Sequence, residues 1–237
     1  MSYPDNPIIC AVDTTDIAKA GAITEAIRGH VGGLKLGLEY FTANGAAGVR
    51  KITDKRVPVF LDLKFHDIPN TVAKAIAATA GINTFMMTVH TTGGRAMLQR
   101  AIEASDEVAQ LTGKERPLII GVTVLTSLDQ DDLSIIGMHD QLHEQVLRLA
   151  DLAQSSGLDG VVCSPYEINL LRKACGDEFK LVVPGIRPEG TSNDDQKRVM
   201  GPKEAIERGA DYLVIGRPIT QAKNISKAAE AIYQSLL

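Results

Sequence analysis

Asp62 and Lys64 stand two residues apart in the run Val59-Phe60-Leu61-Asp62-Leu63-Lys64. In an extended strand, side chains at i and i+2 point to the same side, roughly 6.6 Å apart along the chain, so a carboxylate and an ammonium share one face of an otherwise apolar segment. An isolated ion in such surroundings is costly, and the interior must either pair the two charges as a buried salt bridge or use them. Lys35, in Gly32-Gly33-Leu34-Lys35-Leu36-Gly37, is a second lysine directed to the same region, although by itself it reads more readily as an exposed lysine closing a strand.

Beyond Lys64 the chain runs through Phe65-His66-Asp67-Ile68-Pro69-Asn70-Thr71, where the proline suits the first turn of a helix. Asp67 falls in the loop before that helix and has a ready structural use as its cap. His66 has no second histidine at a ligand spacing, which favours a supporting role over that of a general base. Two arginines follow later strand-like runs: Arg187 in Pro184-Gly185-Ile186-Arg187 and Arg217 in Ile215-Gly216-Arg217-Pro218. A guanidinium presents paired donors to phosphate, and Gly216 lets a ligand approach the backbone amide, so together they predict a phosphate site; either arginine alone would pass for a surface residue. Gln196 lies in the Pro-, Gly-, Asn- and Asp-rich stretch 187–201, which is either a lid able to close over the anion or a tolerated surface insertion. The carboxylates are interleaved with lysines whose charges oppose a divalent cation, so no metal is expected. The sequence carries no GxGxxG, GxxxxGK[ST] or GxSxG pattern, which leaves nucleotide cofactors and serine hydrolysis without motif support.

The elements that must position these groups are legible as eight short apolar, β-branched runs alternating with longer alanine-rich amphipathic stretches. The runs are Ile8–Asp13, Gly33–Leu38, Val59–Lys64, Thr84–His90, Leu118–Leu125, Gly160–Ser164, Lys180–Ile186 and Tyr212–Gly216. Helices are predicted over 16–29, 71–81, 94–112, 141–157 and 202–209, several closing on a glycine. Strands buried on both faces read as near-continuous apolar runs, and here polar residues enter at their C-terminal ends, where (β/α)8 barrels carry their active sites. A (β/α)8 TIM barrel forming a single catalytic domain over residues 1–237 is the expected fold of this α/β chain.

Composition narrows the partners. The chain is 237 residues long with a net charge of -4 and no long Lys/Arg run, which argues against nucleic acid. Trp is absent and aromatics make up 4%, so base-stacking platforms lack raw material. Cys10, Cys163 and Cys175 are odd in number and widely spaced, as in a reducing compartment. With neither a signal-like start nor an apolar run long enough to span a bilayer, the expectation is a cytoplasmic protein away from membranes.

Asp62-Leu63-Lys64-Phe65-His66-Asp67-Ile68-Pro69-Asn70-Thr71 resembles the signature of the orotidine 5'-phosphate decarboxylase family almost letter for letter. The likeness extends through AVD (11–13), GGLKLG (32–37), GVTVLTS (121–127), VCSP (162–165), PGIRP (184–188), DDQKRV (194–199) and IGRPI (215–219), spanning nearly the whole chain. The resemblance implies a homodimeric barrel of the bacterial type that converts orotidine 5'-phosphate to UMP and carbon dioxide, the last step of pyrimidine nucleotide synthesis, without cofactor or metal. It implies that Lys35, Asp62, Lys64 and Asp67 form an alternating charged array. In it Lys64 donates the proton and Asp67 reaches in from the other subunit beside Ile68 and Thr71. It further places Asp13 and Lys35 on the ribose hydroxyls, Thr126 near the pyrimidine, and Arg187, Gln196, Gly216 and Arg217 on the phosphate.

One stretch departs from the family's pattern: Thr88-Val89-His90-Thr91-Thr92-Gly93-Gly94, where His-Ala-Ser/Asn-Gly is more usual. Thr91 and Thr92 there bear on packing at the barrel mouth and leave the role of His90 open. Two rival readings remain at this stage, a metal-dependent sugar-phosphate decarboxylase or epimerase on the same barrel and a non-catalytic nucleotide-binding barrel.

Overall fold

The structure, a computed structural model, describes residues 4–188 and 200–237. Eight parallel strands close into a barrel in sequence order: β1 Ile8–Ala11, β2 Gly33–Gly37, β3 Val59–Phe65, β4 Met86–His90, β5 Leu118–Val122, β6 Gly160–Val162, β7 Lys180–Val183 and β8 Tyr212–Ile215. The helices between and after them are α1 Ile17–Ile27, α2 Leu38–Thr53, α3 Pro69–Ala77, α4 Arg95–Thr112, α5 Gln130–Ile135, α6 Leu142–Ser155, α7 Ile168–Cys175, α8 Pro202–Glu207, α9 Arg217–Thr220 and α10 Ile225–Gln234. This is the (β/α)8 barrel that the alternating pattern predicts.

Strand alternation divides the core in two. Ile9, Phe60, Met86, Ile120, Val182 and Val214 face the barrel axis and pack there as one buried cluster. Their neighbours Ile8, Cys10, Leu34, Leu61, Val161 and Leu213 belong to the larger cluster that includes the apolar stripes of the helices. Parallel register sets Lys35 beside Phe60 and Gly37 beside Asp62 across β2 and β3. At the opposite rim, Asp159 and Asp211 each accept the backbone N–H of the second residue of the neighbouring strand, from Ile119 at 2.7 Å and Leu181 at 2.8 Å. Arg116 and Arg172 hold those two carboxylates in place.

Most predicted strands run past the observed ends. β1 stops at Ala11 rather than Asp13, β2 at Gly37, β5 at Val122 rather than Leu125, β6 at Val162, β7 at Val183 rather than Ile186 and β8 at Ile215, whereas β3 continues to Phe65. Burial does not end where pairing does: Val124 is 6% exposed although it lies beyond the end of β5. Hydrophobicity therefore cannot mark the point at which the chain turns out of the ladder.

Candidate active site

The site begins with an irregularity in β3. Pairing of β3 with β4 slips between Leu61 and Phe65, and Lys64 adopts φ +50, a conformation that costs a residue with a Cβ about 1–3 kcal/mol. The Lys64 N–H donates to the hydroxyl of Thr88 on β4 at 2.9 Å rather than to a ladder carbonyl.

Around this kink the charges connect. Lys64 Nζ lies 2.9 Å from both oxygens of the Asp62 carboxylate. Lys35 Nζ lies 3.4 Å from Asp62 Oδ2 and 3.7 Å from Asp13 Oδ1, so one lysine links two carboxylates. Thr88 Oγ1 donates to Asp62 Oδ1 at 2.9 Å. Burial alone would raise the Asp62 carboxyl, but the Lys35 and Lys64 charges, with hydrogen bonds from Lys64 and Thr88, outweigh it and hold the group below the usual carboxylate range. Asp62 is therefore an anion at neutral pH, although its side chain is only 9% exposed.

These charges form one wall of a cavity of about 210 Å³ at the C-terminal mouth of the barrel, lined also by Val122, Thr126, Val162, Pro184 and Val214. One side presents ammonium and carboxylate groups and the other aliphatic carbon. Such a pocket takes a flat ring over its apolar side and an anionic substituent against the charges. Gly37 serves the array by being small, since a Cβ there would stand 3.1 Å from Lys35 Nζ and 3.7 Å from Asp13 Oδ1.

Lys35, Asp62, Lys64 and Thr126 thus line one cavity, with Asp13 tied in through Lys35. Arg187 follows β7, its N–H bonded to the Met200 carbonyl at 2.9 Å and its Nη1 to the Ile186 carbonyl at 3.0 Å. Gly216 and Arg217 cap and open the short α9 directly after β8. Gln196 lies outside the described residues.

Asp67, Ile68 and Thr71 are exposed, and none of the three is among the residues lining the cavity. Asp67 does not cap α3: Ile68 holds the cap position, and the Asp67 carboxylate accepts the Ile68 N–H at 2.6 Å, outside the helix's own donors. The rings of His66 and His90 lie 5.3 Å apart. Desolvation, with the charges of His66 and Lys64, holds His90 below the usual histidine value. Among the described residues no group of three or more His, Cys, Asp or Glu side chains is placed to hold a metal ion.

Thr88 is the site residue that sequence reasoning missed. The available signal was strand alternation, which puts it on the same face of β4 as Met86 and His90, but a single threonine carries no motif. The departure at Thr91 has a packing explanation: Thr91 is fully buried, and a Cβ on Gly121 would come within 2.8 Å of its hydroxyl, so the glycine on β5 makes room for the β-branched residue.

A closed parallel (β/α)8 barrel with a carboxylate and two lysines joined at its C-terminal mouth has the architecture of a barrel enzyme. Residues 6–232 match the Orotidine 5'-phosphate decarboxylase / HUMPS family, and the chain belongs to it. Among similar proteins, the orotidine 5'-phosphate decarboxylase of Paramagnetospirillum magneticum is 49% identical over 231 residues, covering 98% of each chain. That of Glaesserella parasuis is 49% identical over 232 residues, covering 98% of this chain and 99% of its own. The crystal structure of orotidine 5'-phosphate decarboxylase from Lactobacillus acidophilus superposes with a TM-score of 0.86 at 36% identity, covering 98% of this chain and 99% of that one. No helix among the described residues is long and apolar enough to cross a membrane.

Proposed function

We propose that this chain decarboxylates orotidine 5'-phosphate to UMP and carbon dioxide, with residues 1–237 acting as one catalytic domain and no metal or organic cofactor taking part. The observation that carries the reading is the Lys64 ammonium bonded to an ionised Asp62 in a cavity that is otherwise aliphatic. Both carboxylate oxygens face lysine ammonium groups within 3.4 Å, which supports a metal-free reaction and counts against a metal-dependent sugar-phosphate enzyme on the same barrel.

In this reading Arg187, Gln196, Gly216 and Arg217 hold the 5'-phosphate, Asp13 and Lys35 take the ribose hydroxyls, and the pyrimidine enters the cavity beside Thr126. The substrate carboxylate then faces Asp62, whose negative charge disfavours it more than the transition state, in which that charge is leaving. The C6–carboxylate bond breaks, carbon dioxide departs, and the bonding pair stays in the ring plane at C6, where the ring delocalises it poorly. The Lys64 ammonium stabilises that pair and transfers a proton from Nζ to C6, after which the neutral amine regains a proton from water. The phosphate makes no bond in the reaction, so its binding energy is free to align the array.

The active form is a homodimer in this proposal. Asp67 extends the alternating charges of the partner's site, with Ile68 and Thr71 beside it. Their exposure, and their place outside the lining of their own chain's cavity, support this. The enzyme acts in the cytoplasm, because a multiply charged nucleotide stays in the compartment where it is made.

The test is release of carbon dioxide from orotidine 5'-phosphate by the purified protein in excess EDTA. Turnover in chelator is expected. An inactive folded dimer, or activity that appears only when Mg²⁺ or Zn²⁺ is added, would overturn the reading.

A further inference from the structure

We infer that Thr88 is a positioning residue for the charged array, its hydroxyl fixing where the Asp62 carboxylate and the Lys64 backbone stand relative to each other; the inference rests on the decarboxylase reading above. Thr88 is fully buried on the inward face of β4. Its oxygen accepts the Lys64 N–H at 2.9 Å. A hydroxyl has one hydrogen, and that hydrogen goes to Asp62 Oδ1 at 2.9 Å. One atom from a neighbouring strand therefore grips both members of the catalytic pair.

The grip sits where the backbone needs it. The slipped β3–β4 register removes the regular ladder over Asp62 to Lys64, and the +50 φ of Lys64 turns its amide out of line. Without the hydroxyl, the Lys64 N–H would be buried without an acceptor in a conformation that is already strained.

The bond matters most during turnover. While Lys64 remains charged, its ammonium holds Asp62 through both oxygens. Once Nζ has passed its proton to C6, that attraction is gone, and the carboxylate is left to Lys35 and Thr88. The hydroxyl therefore keeps the carboxylate in register until the Lys64 amine has regained its proton for the next turnover. The charged and titratable groups around Asp62 are Lys35 from β2 with Asp13 beyond it, Lys64 on its own strand, and His90 at the end of β4 with His66 beside it.

The experiment compares wild type with Thr88→Val, which keeps the shape and removes the hydrogen bonds, and Thr88→Ser, which keeps the hydroxyl. Thr88→Val is expected to lower kcat by on the order of ten- to a hundredfold, the usual weight of a hydrogen bond to a charged group, with KM changed by less than about threefold. Thr88→Ser should recover most of the loss. The acid limb of the kcat profile should move to higher pH in Thr88→Val and not in Thr88→Ser.

A Thr88→Val enzyme within about twofold of wild-type kcat, a Thr88→Ser enzyme as poor as Thr88→Val, or acid limbs that coincide would overturn the inference. If Thr88→Val fails to melt cooperatively, Thr88→Ala, which leaves room for water, is read in the same way. Carboxyl NMR of Asp62 separates this inference from the functional reading. Even if wild type shows no decarboxylation, Asp62 should titrate at higher pH in the variant that lacks the hydroxyl, and unchanged titration refutes the positioning role.

Discussion

Lys64 Nζ lies 2.9 Å from both oxygens of Asp62, so the proposed proton donor rests on the one carboxylate that would also face the substrate. Lys64→Ala is expected to lower kcat by at least on the order of 10³-fold, since it removes both a proton donor and an electrostatic stabiliser. Affinity for UMP should fall much less, because the phosphate contacts lie elsewhere. Single-turnover assays with UMP titration check this, and a variant that keeps wild-type kcat would remove Lys64 from the mechanism.

Asp62 also links stability to pH. Its folded-state carboxyl lies below the ordinary value of 3.8, so the unfolded chain takes up its proton first on acidification. The stability this provides is present above that ordinary value and is lost as pH falls through the lower folded value. Urea denaturation between about pH 5 and pH 3 should show a steeper acid-side loss in wild type than in Asp62→Asn. Parallel curves would mean the folded carboxyl is not depressed.

A shared site makes the subunits complementary. Asp67→Ala and Lys64→Ala homodimers should each be nearly inactive. Dissociated and mixed, they should regain up to about a quarter of wild-type activity, because each heterodimer contains one site with both groups intact. No recovery on verified subunit exchange would place Asp67 outside the partner's site.

The phosphate is expected to act on the rate as well as on binding. Orotidine, which lacks it, should be decarboxylated with a kcat/KM lower by several orders of magnitude, and phosphite added in solution should restore part of the rate. Loss confined to KM would mean the phosphate contributes binding alone.

Barrel closure depends on Gly160 of β6, where a Cβ would meet the Lys180 backbone carbonyl oxygen at 2.1 Å. The obstacle is backbone in the adjacent strand and cannot rotate away. Gly160→Ala should destabilise by about 1–3 kcal/mol, read as a lower urea midpoint with an unchanged slope. A wild-type midpoint would show that β6 and β7 can separate at little cost.

The sequence by itself determined the barrel, the rim on which the site sits and most of the charged groups. Buried parallel strands must be apolar along their length, so Asp62, Lys64 and Lys35 stood out as charges that only a pair or a task could keep there. The i, i+2 spacing then put Asp62 and Lys64 on one face without any knowledge of distant contacts. Strand ends were less legible, because a residue such as Val124 remains buried after pairing has stopped.

Only the tertiary structure decided how those groups act on one another. Thr88 is 24 residues from Lys64 and 26 from Asp62 in the chain, and it meets both because β3 and β4 are neighbours whose register slips at that point. Asp67 changed in the same way, from a ready helix cap to an exposed group whose carboxylate turns to the Ile68 amide. Strand periodicity is local and can be read one residue at a time. The direction of a hydroxyl hydrogen and the company of a carboxylate are set by which strands lie side by side.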